Sequence, residues 1–171
     1  FDTARKILMV GAGLRHVRIR GLHIHIGSQI TIGQPFVEAI KKVIAFIKQL
    51  QDRGIMIEYL NIGGGLGIIY KNEKPQTADE FARKILPLLA KSGLKIIMEP
   101  GRFIIGSAAV LVARVLYVKK TPLKKFVIVD GGMNDLIRPS LYSAHHEIMP
   151  LRARQGVKTE TVDIVGPICE S

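Results

Sequence analysis

Three segments of the sequence place residues that bind anions, pair with nitrogen bases or move protons directly after runs of apolar residues. They are His25-Ile26-Gly27-Ser28, Asn61 to Gly67, and Glu99-Pro100-Gly101-Arg102. Consecutive glycines let a backbone approach an anion closely and turn several N–H groups toward it, so Gly63, Gly64 and Gly65 suit a phosphate, with the Ser28 hydroxyl as a further donor. The same triplet also serves as a plain turn after a strand. Glu99 is expected to be buried at a strand end, where an unpaired carboxylate is costly. A protonated ring nitrogen meets its need for a partner, and so does Arg102 across the Pro100-Gly101 turn. His25 reads either as a hydrogen-bonded core histidine or as an imidazole against a flat cofactor. Cys169, the single cysteine, is either a small buried hydrophobe or a reactive thiol.

These residues need a scaffold, and up to about residue 107 strands alternate with helices, the pattern of an α/β fold with parallel strands. Ile19 to Ile26 reads as a strand with Leu22, Ile24 and Ile26 on one face and His23 and His25 on the other. Pro35 opens a helix whose apolar stripe is Phe36, Ile40, Val43, Ile47 and Leu50, and which Gly54 terminates. Ile55 to Ile62 is a second strand that runs into the glycines. Thr77-Ala78-Asp79-Glu80 is a capping box. The helix behind it carries Phe81, Ile85, Leu88 and Leu89, is expected to be kinked or shortened by Pro87, and stops at Gly93. Lys95 to Glu99 is a third strand. In a (β/α) barrel such strand ends share one mouth, so the three polar segments converge there. Val110 to Val118, Phe126 to Asp130 and Thr161 to Val165 then read as strands without intervening helices of matching length. The division expected is 1–107, α/β, and 108–171, the start of a β-rich unit.

At 47% hydrophobic and 23% charged residues, the composition is that of an ordinary globular protein. Arg or Lys interrupts every apolar stretch before about 18 residues, so no membrane span is expected. Phe1 to Lys6 leads into no secretory signal, and one cysteine excludes an internal disulfide framework, which makes the cytoplasm the expected location. The net charge of +11, from 25 basic and 14 acidic residues, suits phosphate or carboxylate ligands. The basic residues are dispersed, the densest group being Lys119, Lys120, Lys124 and Lys125. With no aromatic-interleaved basic stripe and no zinc-ligand spacing, neither a nucleic-acid partner nor a metal is expected.

Five segments in order resemble the signature blocks of the diaminopimelate decarboxylase family. They are Gly21 to Gln29, Asn61 to Gly65, Glu99 to Arg102, Val129 to Tyr142 and Gly166 to Ser171. That family comprises pyridoxal-phosphate enzymes built from an alanine-racemase-like (β/α)8 barrel and a β-rich domain, and its relatives include ornithine and arginine decarboxylases. The resemblance implies that His25 stacks on the ring of pyridoxal 5'-phosphate. It also implies that Ser28, Gly63, Gly64, Gly65, Pro100, Gly101 and Arg102 form the phosphate site, and that Glu99 pairs with the ring nitrogen. Arg102, Arg138, Tyr142 and Glu170 match substrate-binding positions. Here chemistry agrees, because a guanidinium fork suits a carboxylate and a carboxylate suits an ammonium group, and diaminopimelate carries both at its distal end. The segment Arg138-Pro139-Ser140-Leu141-Tyr142 favours it over ornithine, whose distal amine has no carboxylate. The Cys169-Glu170 pair implies a homodimer with shared sites, in which the thiol protonates the product and Glu170 accepts from the distal ammonium.

The resemblance also implies a gap. The family's cofactor lysine lies on the first barrel strand, whereas the first recognisable strand here corresponds to a late one. The chain is therefore expected to be an internal piece, the last barrel strands and the beginning of the β domain, inactive alone. The alternatives are an ornithine- or arginine-type decarboxylase of the same fold and a non-catalytic paralogue that keeps the phosphate cup.

Overall fold

The computed structural model describes residues 1–152, 156 and 158–169, which separate into two units, Phe1–Ala109 and Val110–Ser171. In the first unit the order is α1 (Asp2–Ala12), β1 (Gly21–His23), α2 (Gln34–Gln51), β2 (Tyr59–Asn61), α3 (Ala78–Ala90), β3 (Lys95–Ile97) and α4 (Gly101–Ile105). The three strands are parallel, in the order β1-β2-β3.

Register decides which face does what. Leu22, Leu60 and Ile96 lie side by side, as do His23, Asn61 and Ile97. Because side chains alternate along a strand, the leucine row points to one face and the His23-Asn61 row to the other. The leucine face packs on the helices: Leu60 is fully buried in a core with Phe36, Ile40, Val43, Ile47 and Leu50 of α2 and Phe81, Ile85 and Leu89 of α3. Phe36 and Phe81 join the two helices edge to face, with ring centroids 4.9 Å apart. Thr77 and Glu80 form the expected capping box at the start of α3.

Several sequence expectations are corrected. The helix bearing Pro87 is not shortened at the proline but runs on to Ala90. Pro87 faces solvent, where the carbonyl of Arg83 that loses its helical partner can be met by water. Leu88 is only half-buried. The strands of the first unit are shorter than expected, three residues each rather than the five to eight that their apolar runs suggest, yet the parallel ladder continues past them. The N–H of Ile24 donates to Asn61 O (2.9 Å), that of Ile62 to Ile97 O (3.0 Å) and that of Glu99 to Gly63 O (2.9 Å). The chain bends away at Gly27, Gly63 and Gly65, all at positive φ. Helix α1 was not anticipated, since its apolar residues Ile7 to Val10 are consecutive rather than periodic, and none of its residues is fully buried.

The second unit holds β4 (Val115–Lys120), β5 (Lys125–Val129), α5 (Arg138–Tyr142) and β6 (Asp163–Val165), with β4 antiparallel and β6 parallel to β5. The strand expected over 110–118 begins only at Val115, which is where β5 first offers a partner, Val129. Ahead of it, the Arg114 N–H is taken by the Asp130 carboxylate at 2.7 Å. The basic cluster is partly neutralised: Lys124 pairs with Asp163 at 2.8 Å, which raises the lysine pKa, and Lys125 pairs with Glu160. Among the described residues no helix is long and apolar enough to cross a membrane.

Candidate functional site

The two ends of the β1–β3 sheet differ in chemistry. Before the strands, Arg18 and Arg20 pair with Glu58, and the hydrogen bond from Arg20 holds the Glu58 carboxyl below the usual carboxylate range. Beyond them opens a cleft of about 190 Å³. The loop after β1 contributes His25, Ser28 and Gln29, the loop after β2 contributes Gly64 and Gly65, and the segment after β3 contributes Glu99, Gly101 and Arg102. The three polar segments of the sequence thus come together, as the barrel reading requires.

The glycine triplet is wedged between its neighbours. A Cβ on Gly64 would fall 1.9 Å from the carbonyl oxygen of Glu99, one on Gly65 2.0 Å from that of Gly27, and one on Gly63 2.5 Å from that of Ile24 and 3.2 Å from His25 Nδ1. Gly63 and Gly65 also have φ of +70° and +97°, values open to glycine at little cost. The N–H of Gly63 is engaged, donating to Asn61 Oδ1 at 2.8 Å. Those of Gly64 and Gly65 and the exposed Ser28 hydroxyl take no protein partner among the described residues. The triplet is therefore both a packed turn and a source of donors. Pro100, at φ −78° and ψ 50°, is the centre of an inverse γ-turn closed by Gly101 N–H to Glu99 O at 2.8 Å. This turn leads the chain into α4 and places Arg102 beside the cleft.

Glu99 is half exposed rather than buried, because it lies two residues beyond β3 on the open face of the sheet. Its partner is not Arg102. Asn61 Nδ2 donates to Glu99 Oε1 at 2.6 Å, and His23 Nε2 lies 3.7 Å from the same oxygen. Arg102 turns elsewhere: its guanidinium lies 5.8 Å above the Tyr70 ring and donates to Gln29 Oε1 at 3.4 Å. Gln29, itself at φ 59°, clasps Ile68 by donating to its carbonyl at 2.6 Å and accepting from its N–H at 3.3 Å. His25 is exposed, which sets aside its reading as a core histidine.

Asn61, Gln29, Tyr70 and Glu73 are supporting residues that the sequence reading assigned no role. The signal for two of them was available, since Gln29 and Asn61 stand inside the quoted blocks. Glu73 accepts the N–H groups of Lys71 (2.7 Å) and Tyr70 (2.9 Å), and these bonds, with the approach of its own backbone N–H, pull its carboxyl down to about 2. Being lowered from 4.5, this carboxylate contributes its stabilisation in full above about pH 4.5 and loses it as pH falls through about 2. Amide exchange at Tyr70 and Lys71 is expected to stay slow down to about pH 4.5 and to accelerate, relative to other loops, between there and pH 2. An onset above pH 5 would contradict this.

In the second unit, Arg138 and Tyr142 share α5, with the Arg138 guanidinium 5.8 Å above the Tyr142 ring. Cys169 is exposed, not buried. Glu170 lies outside the described residues.

Comparison with known proteins gives this arrangement a family. The model of the pyridoxal-dependent decarboxylase family, pyridoxal binding domain, matches residues 1–106. A diaminopimelate decarboxylase of Vibrio cholerae is 44% identical over 172 residues, covering all of this chain and 41% of the relative. One from Aquifex aeolicus is 46% identical over 169 residues, covering 98% of this chain and 40% of the relative. The crystal structure of diaminopimelate decarboxylase from Helicobacter pylori complexed with L-lysine superposes with a TM-score of 0.87 at 39% identity, over 99% of this chain and 42% of that one. The chain thus spans about two fifths of the length of the relatives it matches. The expected fold class, part of an alanine-racemase-like barrel followed by part of a β-rich domain, agrees with these neighbours. With the matched region holding all three strand ends of the cleft, the chain belongs to the pyridoxal-dependent decarboxylase family, and residues 1–106 belong to its pyridoxal binding domain.

Proposed function

We propose that the full-length protein to which this chain belongs decarboxylates meso-2,6-diaminopimelate to L-lysine, using pyridoxal 5'-phosphate held in the cleft at the strand ends. The observation that carries the reading is the donor set of that cleft. The N–H groups of Gly64 and Gly65 and the Ser28 hydroxyl, without a protein partner among the described residues, suit a phosphate, and the open Glu99 carboxylate suits a ring N–H, all within a chain 44% identical to a diaminopimelate decarboxylase. When bound, the cofactor supplies a conjugated ring that takes up the electron pair left when carbon dioxide departs.

The chain's own residues then have separable tasks. Gly64, Gly65, Ser28 and the Gly101-Arg102 backbone hold the phosphate, while Gly63 and Pro100 shape the turns that present these donors. Glu99 accepts the hydrogen of the ring nitrogen and keeps it in place. His25 covers the ring face. Arg102, Arg138, Tyr142 and Glu170 bind the substrate, and Cys169 delivers a proton to the product. Support for the last five is the match of their segments to the family's blocks together with charge complementarity: two guanidinium groups for carboxylates and one carboxylate for the distal ammonium. The same match supports a homodimer in which Cys169 and Glu170 serve the neighbouring subunit's site. It also supports the assignment of 1–107 to the barrel and 108–171 to the β-rich domain.

The test is carbon dioxide and lysine release by the full-length protein. Diaminopimelate is expected to be the preferred substrate, and Arg138→Ala to raise its KM by roughly ten- to a hundredfold, the equivalent of one charge-assisted hydrogen bond of about 1.5–3 kcal/mol. Faster release from ornithine or arginine, or an unchanged KM, would overturn the substrate assignment.

A further inference from the structure

We infer that Asn61 is a positioning residue that fixes the Glu99 carboxylate so that one particular oxygen, Oε2, is presented to the ligand. The inference rests on the reading of the cleft as the pyridoxal-phosphate site. Its starting point is the sheet register, which sets His23, Asn61 and Ile97 in one row on the open face. Glu99, two residues past Ile97, has the same parity and falls on the same face.

The orientation of the Asn61 carboxamide follows from its second contact. A backbone N–H can only donate, so the Asn61 atom that meets the Gly63 N–H at 2.8 Å must be the oxygen, Oδ1. The amide nitrogen, Nδ2, is then the atom 2.6 Å from Glu99 Oε1. As a donor it obliges Oε1 to accept. Asn61 thus couples two events that the sequence places 38 residues apart, the turn into the glycine triplet and the setting of the carboxylate. His23 Nε2, at 3.7 Å, is beyond hydrogen-bond reach. Among the described residues, Asn61 is the one side chain that hydrogen-bonds Glu99, and Oε2 takes no protein donor. A ligand that brings an N–H to this carboxylate meets an acceptor already turned, without the entropic cost of ordering it.

The experiment compares two ligands of the cofactor-free full-length protein: pyridoxal 5'-phosphate, and the analogue in which the ring nitrogen is replaced by CH. Asn61→Asp keeps the size of the side chain and the acceptor for the Gly63 N–H while replacing the amide donor to Glu99 with a second carboxyl group. Asn61→Ala removes both. Asn61→Asp is expected to weaken binding of pyridoxal phosphate by about tenfold and to leave binding of the analogue unchanged, since only the first ligand uses Oε2; Asn61→Ala, which also frees the Gly63 N–H, is expected to weaken both ligands but pyridoxal phosphate by about tenfold more. Equal loss for both ligands, the mark of a merely structural role, or no loss for either, would overturn the inference. Glu99→Ala separates the two claims. Should it leave the preference between the ligands intact, the reading of Glu99 fails and the inference with it. Should it abolish the preference while Asn61→Asp and Asn61→Ala do not, the inference alone fails.

Discussion

Replacing Glu99 with Gln in the full-length protein is expected to lower the turnover of meso-diaminopimelate by roughly a hundredfold or more while most of the pyridoxal phosphate stays bound. The asymmetry follows from the division of labour in the cleft. On the proposed assignment, retention of the cofactor rests chiefly on phosphate donors supplied by Ser28 and by the backbone at Gly64 and Gly65, cleft residues that the substitution does not touch. In the proposed role Glu99 acts on the ring's electronics, and a neutral amide would not hold a hydrogen on the ring nitrogen as a carboxylate does. The measurement is kcat beside cofactor content after gel filtration. Equal turnover in parent and variant would remove Glu99 from its assigned role, and loss of cofactor in proportion to activity would make it a binding group instead.

The second large effect is on stability. Gly64→Ala would place a methyl group 1.9 Å from the Glu99 carbonyl oxygen. The obstacle is backbone, so no rotamer change relieves it, and the segment after β3 must move. Overpacking of this kind costs about 1–3 kcal/mol and more where backbone must shift. Gly101→Ala provides the contrast, because a Cβ there meets nothing within 4 Å, and a change of about 0.5 kcal/mol or less is expected. Urea unfolding of the two full-length variants compares them directly. Equal midpoints would show that the triplet is not wedged as described.

How much of this was legible in the sequence depended on whether the deciding interaction was local. The capping box at Thr77 and Glu80 and the apolar stripe of α2 were readable because both span only a few residues of one helix. Convergence of the three polar segments was readable because parallel strands joined by helices must end on the same side. The exposure of Glu99 was not, since position at a strand end says nothing about which face of the sheet is covered. Nor was its partner: Arg102, three residues away, is the near candidate by spacing, yet Asn61, 38 residues away, holds the carboxylate because register puts both on one face. The glycine triplet suits an anion loop or a turn by its spacing, and the reason it packs so tightly lies in the approach of two other loops, which no local pattern encodes. Pro87 is the opposite case, where a local rule predicts a kinked or shortened helix. Its local rule is sound, but the carbonyl it orphans faces solvent and the helix persists.

The most direct test is a crystal structure of the full-length protein with pyridoxal 5'-phosphate bound. The account predicts the phosphate within hydrogen-bond distance of the Ser28 hydroxyl and the Gly64 or Gly65 N–H groups, and the ring nitrogen on Glu99 Oε2 with Asn61 still on Oε1. A phosphate held elsewhere, or a ring nitrogen facing a residue other than Glu99, would contradict it.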